Sequence, residues 1–246
     1  MQEIIQMPHQ DKTFSVIHLT PGGESKYPGL IVIHEVWGLT GHIKEVASRF
    51  SKRGYDVIAP DLLSDTGITE KIDQSIMKEV ANPATRDEAQ KKLREAMAPL
   101  QSPEFANETV TKLKQCIDYL LDDESCTGKV GVVGYCFGGT YAYALATADD
   151  RLKAAVPYYG HADNLAEIQN ISCPILAFYG EEDDRLVKGL PDLRRAMQEN
   201  NKDFEAIVYA DAGHAFFNDT NPVTYRKKAA EDAWEKTISF LSDNLT

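Results

Sequence analysis

The stretch Lys129-Val-Gly-Val-Val-Gly-Tyr-Cys-Phe-Gly-Gly139 sets one nucleophile, Cys136, between glycines at the end of a short apolar run. Glycines there let a backbone reverse sharply from strand to helix, in a strained conformation that leaves no room for flanking side chains. The residue at the tip is lifted above the sheet. The next helix directs its free N–H groups and positive dipole end at that tip, a setting that lowers the pKa of a thiol. The chemistry this implies is acyl transfer through a thioester.

A cysteine nucleophile needs a base, and the base needs a group to orient it. Two loops after Cys136 offer them: Gly180-Glu-Glu-Asp-Asp184, after an apolar run from Pro174 to Tyr179, and Ala210-Asp-Ala-Gly-His214, after a run from Glu205 to Tyr209. The order nucleophile, acid, histidine is one known for hydrolytic triads. His214 alone combines that order, a preceding strand and a glycine, with His161 as the alternative. Asp183, three residues beyond Gly180, is favoured as the acid, and Asp184 stays open. Glu181 and Glu182 lie closer to the strand, and three of the four are ordinary loop carboxylates. The developing oxyanion would be held by the Phe137 N–H at the turn and by the Val36 N–H after the run ending at His34.

Elements must bring these pieces together. Strand patterns cover 13–19, with 3–7 as a candidate partner, then 30–34, 55–59, 130–133, 153–158, 174–179 and 205–209. Helical periodicity covers 42–52, 108–121, 138–146, 186–200 and 225–241. Such alternation predicts an α/β domain spanning residues 1–246, with a mostly parallel central sheet flanked by helices on both faces. Residues 62–105 are charged, carry no strand signal and are too long for an ordinary connection. They are expected to form a helical lid over the C-terminal edge of the sheet, where ligands of open sheets bind.

The chain has 246 residues, 43% of them hydrophobic, which suits one sizeable core. A net charge of -12 argues against nucleic acid and against anionic membranes. No apolar stretch is long enough to span a bilayer, and the first residues lack the pattern of a secretory signal. The four cysteines follow no zinc or redox spacing. A cytoplasmic protein without metal or cofactor is expected, as a monomer or small homo-oligomer.

Five segments together resemble the dienelactone hydrolase (carboxymethylenebutenolidase-like) family. They are Ile31-Val-Ile-His-Glu-Val-Trp-Gly38, Gly54-Tyr-Asp-Val-Ile-Ala-Pro-Asp-Leu62, the Cys136 turn, Tyr158-Tyr-Gly160 and Ala212-Gly-His-Ala-Phe-Phe-Asn218. The resemblance runs from about Leu30 to Leu241. It implies an α/β-hydrolase fold and cleavage of a small ester or lactone by Cys136, His214 and Asp183. It also implies a role for Glu35. In relatives a glutamate at that place keeps the resting thiol neutral, then takes its proton when substrate binds, which spares the sulfur from oxidation.

The chain departs from the dienelactone-cleaving members at Asn218, where they carry an arginine for the substrate carboxylate. Arg86 and Arg94, in the inserted stretch, are candidates to supply a cation instead. Tyr158 and Tyr159 are candidates to line the pocket. The rival readings are a broad carboxylesterase or thioesterase, a non-catalytic small-molecule-binding protein of the same fold, and a thiol redox sensor.

Overall fold

The structure is a computed structural model that describes every residue except 24, 69–75, 77, 78, 80, 81 and 83; residues 86, 87 and 94 are described in backbone only. Eight strands form one sheet: β1 Gln2–His9, β2 Lys12–Leu19, β3 Tyr27–Ile33, β4 Asp56–Pro60, β5 Cys126–Tyr135, β6 Leu152–Tyr158, β7 Ile175–Gly180 and β8 Phe204–Tyr209. Their spatial order is β1-β2-β4-β3-β5-β6-β7-β8. The pairs β1–β2 and β2–β4 are antiparallel, and all others are parallel. The expected mostly parallel sheet is therefore present.

The helices are α1 Gly41–Lys52, α2 Arg86–Met97, α3 Pro103–Asp122, α4 Phe137–Ala148, α5 Asp184–Glu199 and α6 Lys227–Leu245. Side-chain alternation along β3 and β5 shows how they divide between the two faces. A Cβ on Gly29 would touch Leu120 of α3, whereas one on Gly131 would meet Leu241 and Leu245 of α6. On the α6 face α1 lies alongside, with Phe50 and Trp234 ring centroids 4.6 Å apart. Ile31, Val32, Val132, Val133 and Val156 are fully buried between the layers. Each such side chain contributes roughly 1.5–3 kcal/mol by leaving water.

Periodicity placed the start of α3 at Glu108, but the helix starts at Pro103. Ser102 accepts from the Phe105 N–H at 3.1 Å and Pro103 occupies the first turn, so cap chemistry extends the helix beyond its apolar stripe.

Within the 62–105 segment, residues 69–75, 77, 78, 80, 81 and 83 lie outside the described residues. Within the described part, Ile68, Ile76 and Ala89 form a small apolar cluster with Val36, against which Trp37, Met97, Leu100 and Phe137 pack. This cluster seats the segment beside the loops that follow β3 and β5. Those are also the loops where the chain order reverses across the sheet, the place where such sheets leave a crevice.

Candidate active site

Five loops follow the carboxyl ends of β3, β5, β6, β7 and β8. They carry Glu35, Cys136, Tyr159, Asp183 and His214 respectively. Because these strands are parallel, all five residues lie at one edge of the sheet.

Cys136 links β5 to α4 with φ 57° and ψ -111°, a conformation L-residues seldom adopt. Close packing maintains it. A Cβ on Gly134 would run into the Gly138 carbonyl, and a Cβ on Gly138 would run into the carbonyls of Ile33 and His34. Tyr159 (φ 38°) and Ala215 (φ 61°) share this left-handed strain. Strain at three neighbouring loops is characteristic of sites whose geometry is held by the surrounding fold.

His214 Nδ1 lies 2.6 Å from Asp183 Oδ2. Nδ1–H donates to the carboxylate, which leaves Nε2 free to bond Cys136. Burial works to lower the His214 pKa. With Cys136 as the thiolate, its charge and side-chain hydrogen bonds to Asp183 and Cys136 outweigh it, and the imidazole is raised to about 10. Asp183 stands at the start of α5 with its side chain 11% exposed, while the Asp184 side chain is 82% exposed and pairs with Lys188. Glu181 and Glu182 are exposed.

His161 lies nearby, but both ring nitrogens are occupied. Nδ1 is 3.0 Å from Thr140 Oγ1 and Nε2 is 2.7 Å from Asp163.

Glu35 is 2% exposed. Its Oε2 accepts from the Asn218 amide at 2.7 Å and its Oε1 from the Tyr159 hydroxyl at 3.4 Å. Burial raises its pKa, and His42 is the main opposing charge. The Glu35 backbone is fixed by His34, a fully buried ring. His34 Nε2 accepts from the Leu62 N–H at 3.0 Å, so Nδ1–H donates to the Glu35 carbonyl at 2.6 Å. Burial lowers the His34 pKa and keeps the ring neutral. This anchors the turn that presents Val36. Among the described residues, the N–H groups of Val36 and Phe137 have no acceptor.

A cleft of about 670 Å³ opens here, lined by Val36, Cys136, Phe137, Tyr159 and His214 among others. Met97, Leu100, Phe137 and Tyr141 give it an apolar side. Asp163 and Arg185 lie on its rim, and Arg185 was not singled out from the sequence. Only its position as the second residue of α5, beside the Asp183 loop, could have pointed to it.

Two expected pocket residues lie elsewhere. Asn218 is 4% exposed and sits beneath the cleft, bonded to Glu35. Tyr158 is fully buried in the core, with its hydroxyl 2.6 Å from Thr237 Oγ1. Arg86 and Arg94 fall on α2, and their side chains lie outside the described residues.

Away from the cleft, one group of possible metal ligands occurs among the described residues: His18, Asp56 and Asp123. His18 Nε2 and Asp56 Oδ1 already pair at 2.8 Å. No described helix is long and apolar enough to cross a membrane.

Comparison with known proteins agrees with this architecture. The model of the dienelactone hydrolase family matches residues 14–245. A protein of Saccharolobus solfataricus, provisionally named carboxymethylenebutenolidase, is 35% identical over 86% of this chain and 88% of its own length. A crystal structure from Klebsiella pneumoniae, provisionally named a dienelactone hydrolase, superposes with a TM-score of 0.82 at 22% identity, covering 98% of each chain. The dienelactone hydrolase structure from Anabaena variabilis gives 0.72 at 15% identity, covering 100% of this chain and 99% of that one. These neighbours share the α/β-hydrolase fold. The chain belongs to the dienelactone hydrolase family, hydrolases of lactone or ester type.

Proposed function

We propose that the protein cleaves a small carboxylic ester or lactone through a Cys136 thioester. The observation that carries this reading is a single cleft lined by Cys136, at a strained helix start, and by His214, whose Nδ1 lies 2.6 Å from Asp183.

In this reading Glu35 takes the thiol proton when substrate enters, and the thiolate attacks the carbonyl. The S–H bond breaks, an O–H bond forms on Glu35, and sulfur keeps the electron pair. The Val36 and Phe137 N–H groups hold the oxyanion; losing one such donor typically costs about 2.7–4 kcal/mol of barrier. His214, steadied by Asp183, gives a proton to the leaving oxygen. It then draws one from the water that opens the thioester, and the Cys136 thiolate expelled as the C–S bond breaks takes its proton back from Glu35. The apolar side of the cleft suits an acyl group or a small ring. The substrate is a small molecule, no metal or cofactor takes part, and the protein acts in the cytoplasm as a monomer or small homo-oligomer.

The test is a panel of activated esters and enol lactones assayed with wild type and Cys136→Ala, with intact-mass detection of an acyl adduct. Turnover with a transient adduct on wild type, both absent in Cys136→Ala, is the expected result. Equal turnover in the two proteins would remove the cysteine from the mechanism. No turnover on any substrate would favour a binding role.

A further inference from the structure

The cleft lined by Cys136 and His214 adjoins a second cavity. His161, Asp163 and Arg185 line the cleft of about 670 Å³, and they also line a cavity of about 320 Å³ between the loop after β6 and α5. Both volumes fall within the roughly 300–1,000 Å³ of small-molecule sites. The side chains of His161 and Asp163 are 44% and 70% exposed, and Arg185 is exposed as well. The boundary between the two cavities is thus a solvent-facing rim and not packed core, so a bound molecule can lie across it.

The second cavity offers carbon to a ligand. Ala162, Leu165, Leu186, Gly189, Leu190 and Leu193 give it an apolar wall. Its polar groups are engaged with one another or with the protein behind them. The Tyr179 hydroxyl lies 2.7 Å from that of Tyr143, Asp192 pairs with Arg195 at 2.6 Å, and Asp163 pairs with His161 at 2.7 Å. Leu165 is 38% exposed, one of four large apolar side chains left exposed among the described residues. It stands at the start of the short 3-10 turn Leu165–Asn170 and borders the cavity. A Cβ on Gly189, inside α5, would meet nothing within 4 Å. Helix α5 therefore leaves open space along this stretch, where most other residues would partly fill it.

We propose that this second cavity receives the leaving alcohol, and that the substrate is an open-chain ester whose alcohol part carries an extended apolar group. The proposal rests on the thioester reading and narrows its substrate class. In acylation the leaving oxygen must lie at His214. The C–O bond breaks, the acyl carbon stays on the Cys136 sulfur, and the alcohol departs with the proton from His214. His214 is held by Asp183, the residue just before α5, and the second cavity is bounded by Arg185 to Leu193 of that same helix. A group attached to the leaving oxygen therefore starts on the α5 side and continues past Arg185 into the apolar chamber. The acyl group sits at the Val36 and Phe137 N–H groups, where Met97, Leu100 and Tyr141 supply the wall. A lactone keeps its leaving oxygen tied to the acyl chain and would leave the second chamber unused.

The experiment measures kcat/KM of the full-length protein for phenyl acetate and its para-ethyl, para-butyl and para-hexyl derivatives, whose leaving phenols differ in length but barely in acidity. Wild type should gain up to about fourfold for each methylene that enters the chamber. Gly189→Leu fills the chamber with a residue that favours the helix, and the hexyl-to-unsubstituted ratio should fall toward one. The ratio is read within each protein, so a loss of folded fraction cancels. Leu165→Ser, at the exposed wall, should lower the ratio by a smaller amount and serves if Gly189→Leu folds poorly. A second series, p-nitrophenyl esters from acetate to hexanoate, lengthens the acyl part, and its ratio should not respond to Gly189→Leu. A flat phenyl series in wild type, a slope that survives in Gly189→Leu, or a Gly189→Leu effect confined to the acyl series overturns the proposal. Failure of the thioester reading looks different: no acetyl adduct would form on Cys136, while the slope and its loss in Gly189→Leu stayed in place. Absence of turnover throughout both series overturns the two together.

Discussion

The amide of Asn218 donates to Glu35 Oε2 at 2.7 Å, beneath the cleft and out of contact with it. Asn218 is therefore part of the support for a carboxyl and not of the cleft lining. Its carbonyl end accepts from the N–H and hydroxyl of Thr220, so it also knots the loop that leads to α6. Asn218→Leu keeps the volume but strips the donor from Glu35. Leaving that oxygen without a partner should cost about 1–3 kcal/mol, read from the urea midpoint. A midpoint equal to wild type would show that Glu35 is solvated.

Glu35 itself should mark the pH dependence of stability. Its folded pKa is raised above the ordinary value of 4.5 by burial. Below the ordinary value the carboxyl is protonated in both states, and its contribution is fully present. As pH rises the unfolded chain releases the proton first, so the folded protein loses stability until its own, higher pKa is passed. Glu35→Gln has no such proton and should flatten this part of the curve. Unfolding free energies of both proteins, measured from about pH 4.5 upward, check the difference. Parallel curves would count against a raised pKa.

The ends of the strands were readable in the chain because each carries local chemistry. Glycines frame Cys136, Gly180 precedes Asp183 and Gly213 precedes His214, each after a strand-length apolar run. The structure brings Cys136 and His214 into one cleft, with Asp183 bonded to His214 beside it, because the strands before them are parallel. What was not readable is the direction of side chains after burial. Tyr158 and Tyr159 are adjacent and identical, yet the positive φ of Tyr159 turns one ring to the cleft while the other stays in the core. Arg185 bears no local signal of cleft contact, since only the packing of α5 against the Asp183 loop brings it there. The start of α3 was hidden for a related reason: a cap and a proline set it, outside the apolar periodicity.

Asp183→Asn should leave the fold intact and slow acyl transfer by about 10³–10⁴-fold, the scale seen when a triad carboxylate loses its charge. His214 is now raised to about 10, so the stability that its charge supplies is full below its ordinary value of 6.5 and is lost as pH climbs through about 10. Without the Asp183 charge that loss should begin at lower pH. Proton NMR of the His214 ring measures it directly. An unshifted titration in Asp183→Asn would mean that the carboxylate does not hold the imidazole.

Gly138→Ala probes the turn itself. The added methyl meets the carbonyls of Ile33 and His34, which belong to the backbone and have no rotamer to change. Their displacement would drag the Glu35–Val36 turn with it, because His34 also accepts the Gly138 N–H at 3.1 Å. A loss of about 1–3 kcal/mol is expected for such overpacking, with a larger fall in acylation than in stability. Wild-type acylation in a folded Gly138→Ala would show that the turn tolerates a shift and that Val36 is not an oxyanion donor.

The two adjacent tyrosines give the last prediction. The Tyr158 hydroxyl bonds Thr237 at 2.6 Å and the Ala233 carbonyl at 3.0 Å, joining β6 to α6 deep in the core. Tyr158→Phe should lower the unfolding free energy by about 0.5–1.5 kcal/mol, with acylation unchanged, since nothing at the cleft moves. The Tyr159 hydroxyl bonds Glu35 from a longer 3.4 Å, and its ring centroid is 5.1 Å from that of His214. Tyr159→Phe should therefore alter stability little but raise the Glu35 pKa further, shifting the acid limb of acylation to higher pH. A thermal melt and an acylation pH profile on both variants separate the two roles. If both variants changed the same readout, the division of labour drawn from the backbone turn at Tyr159 would not hold.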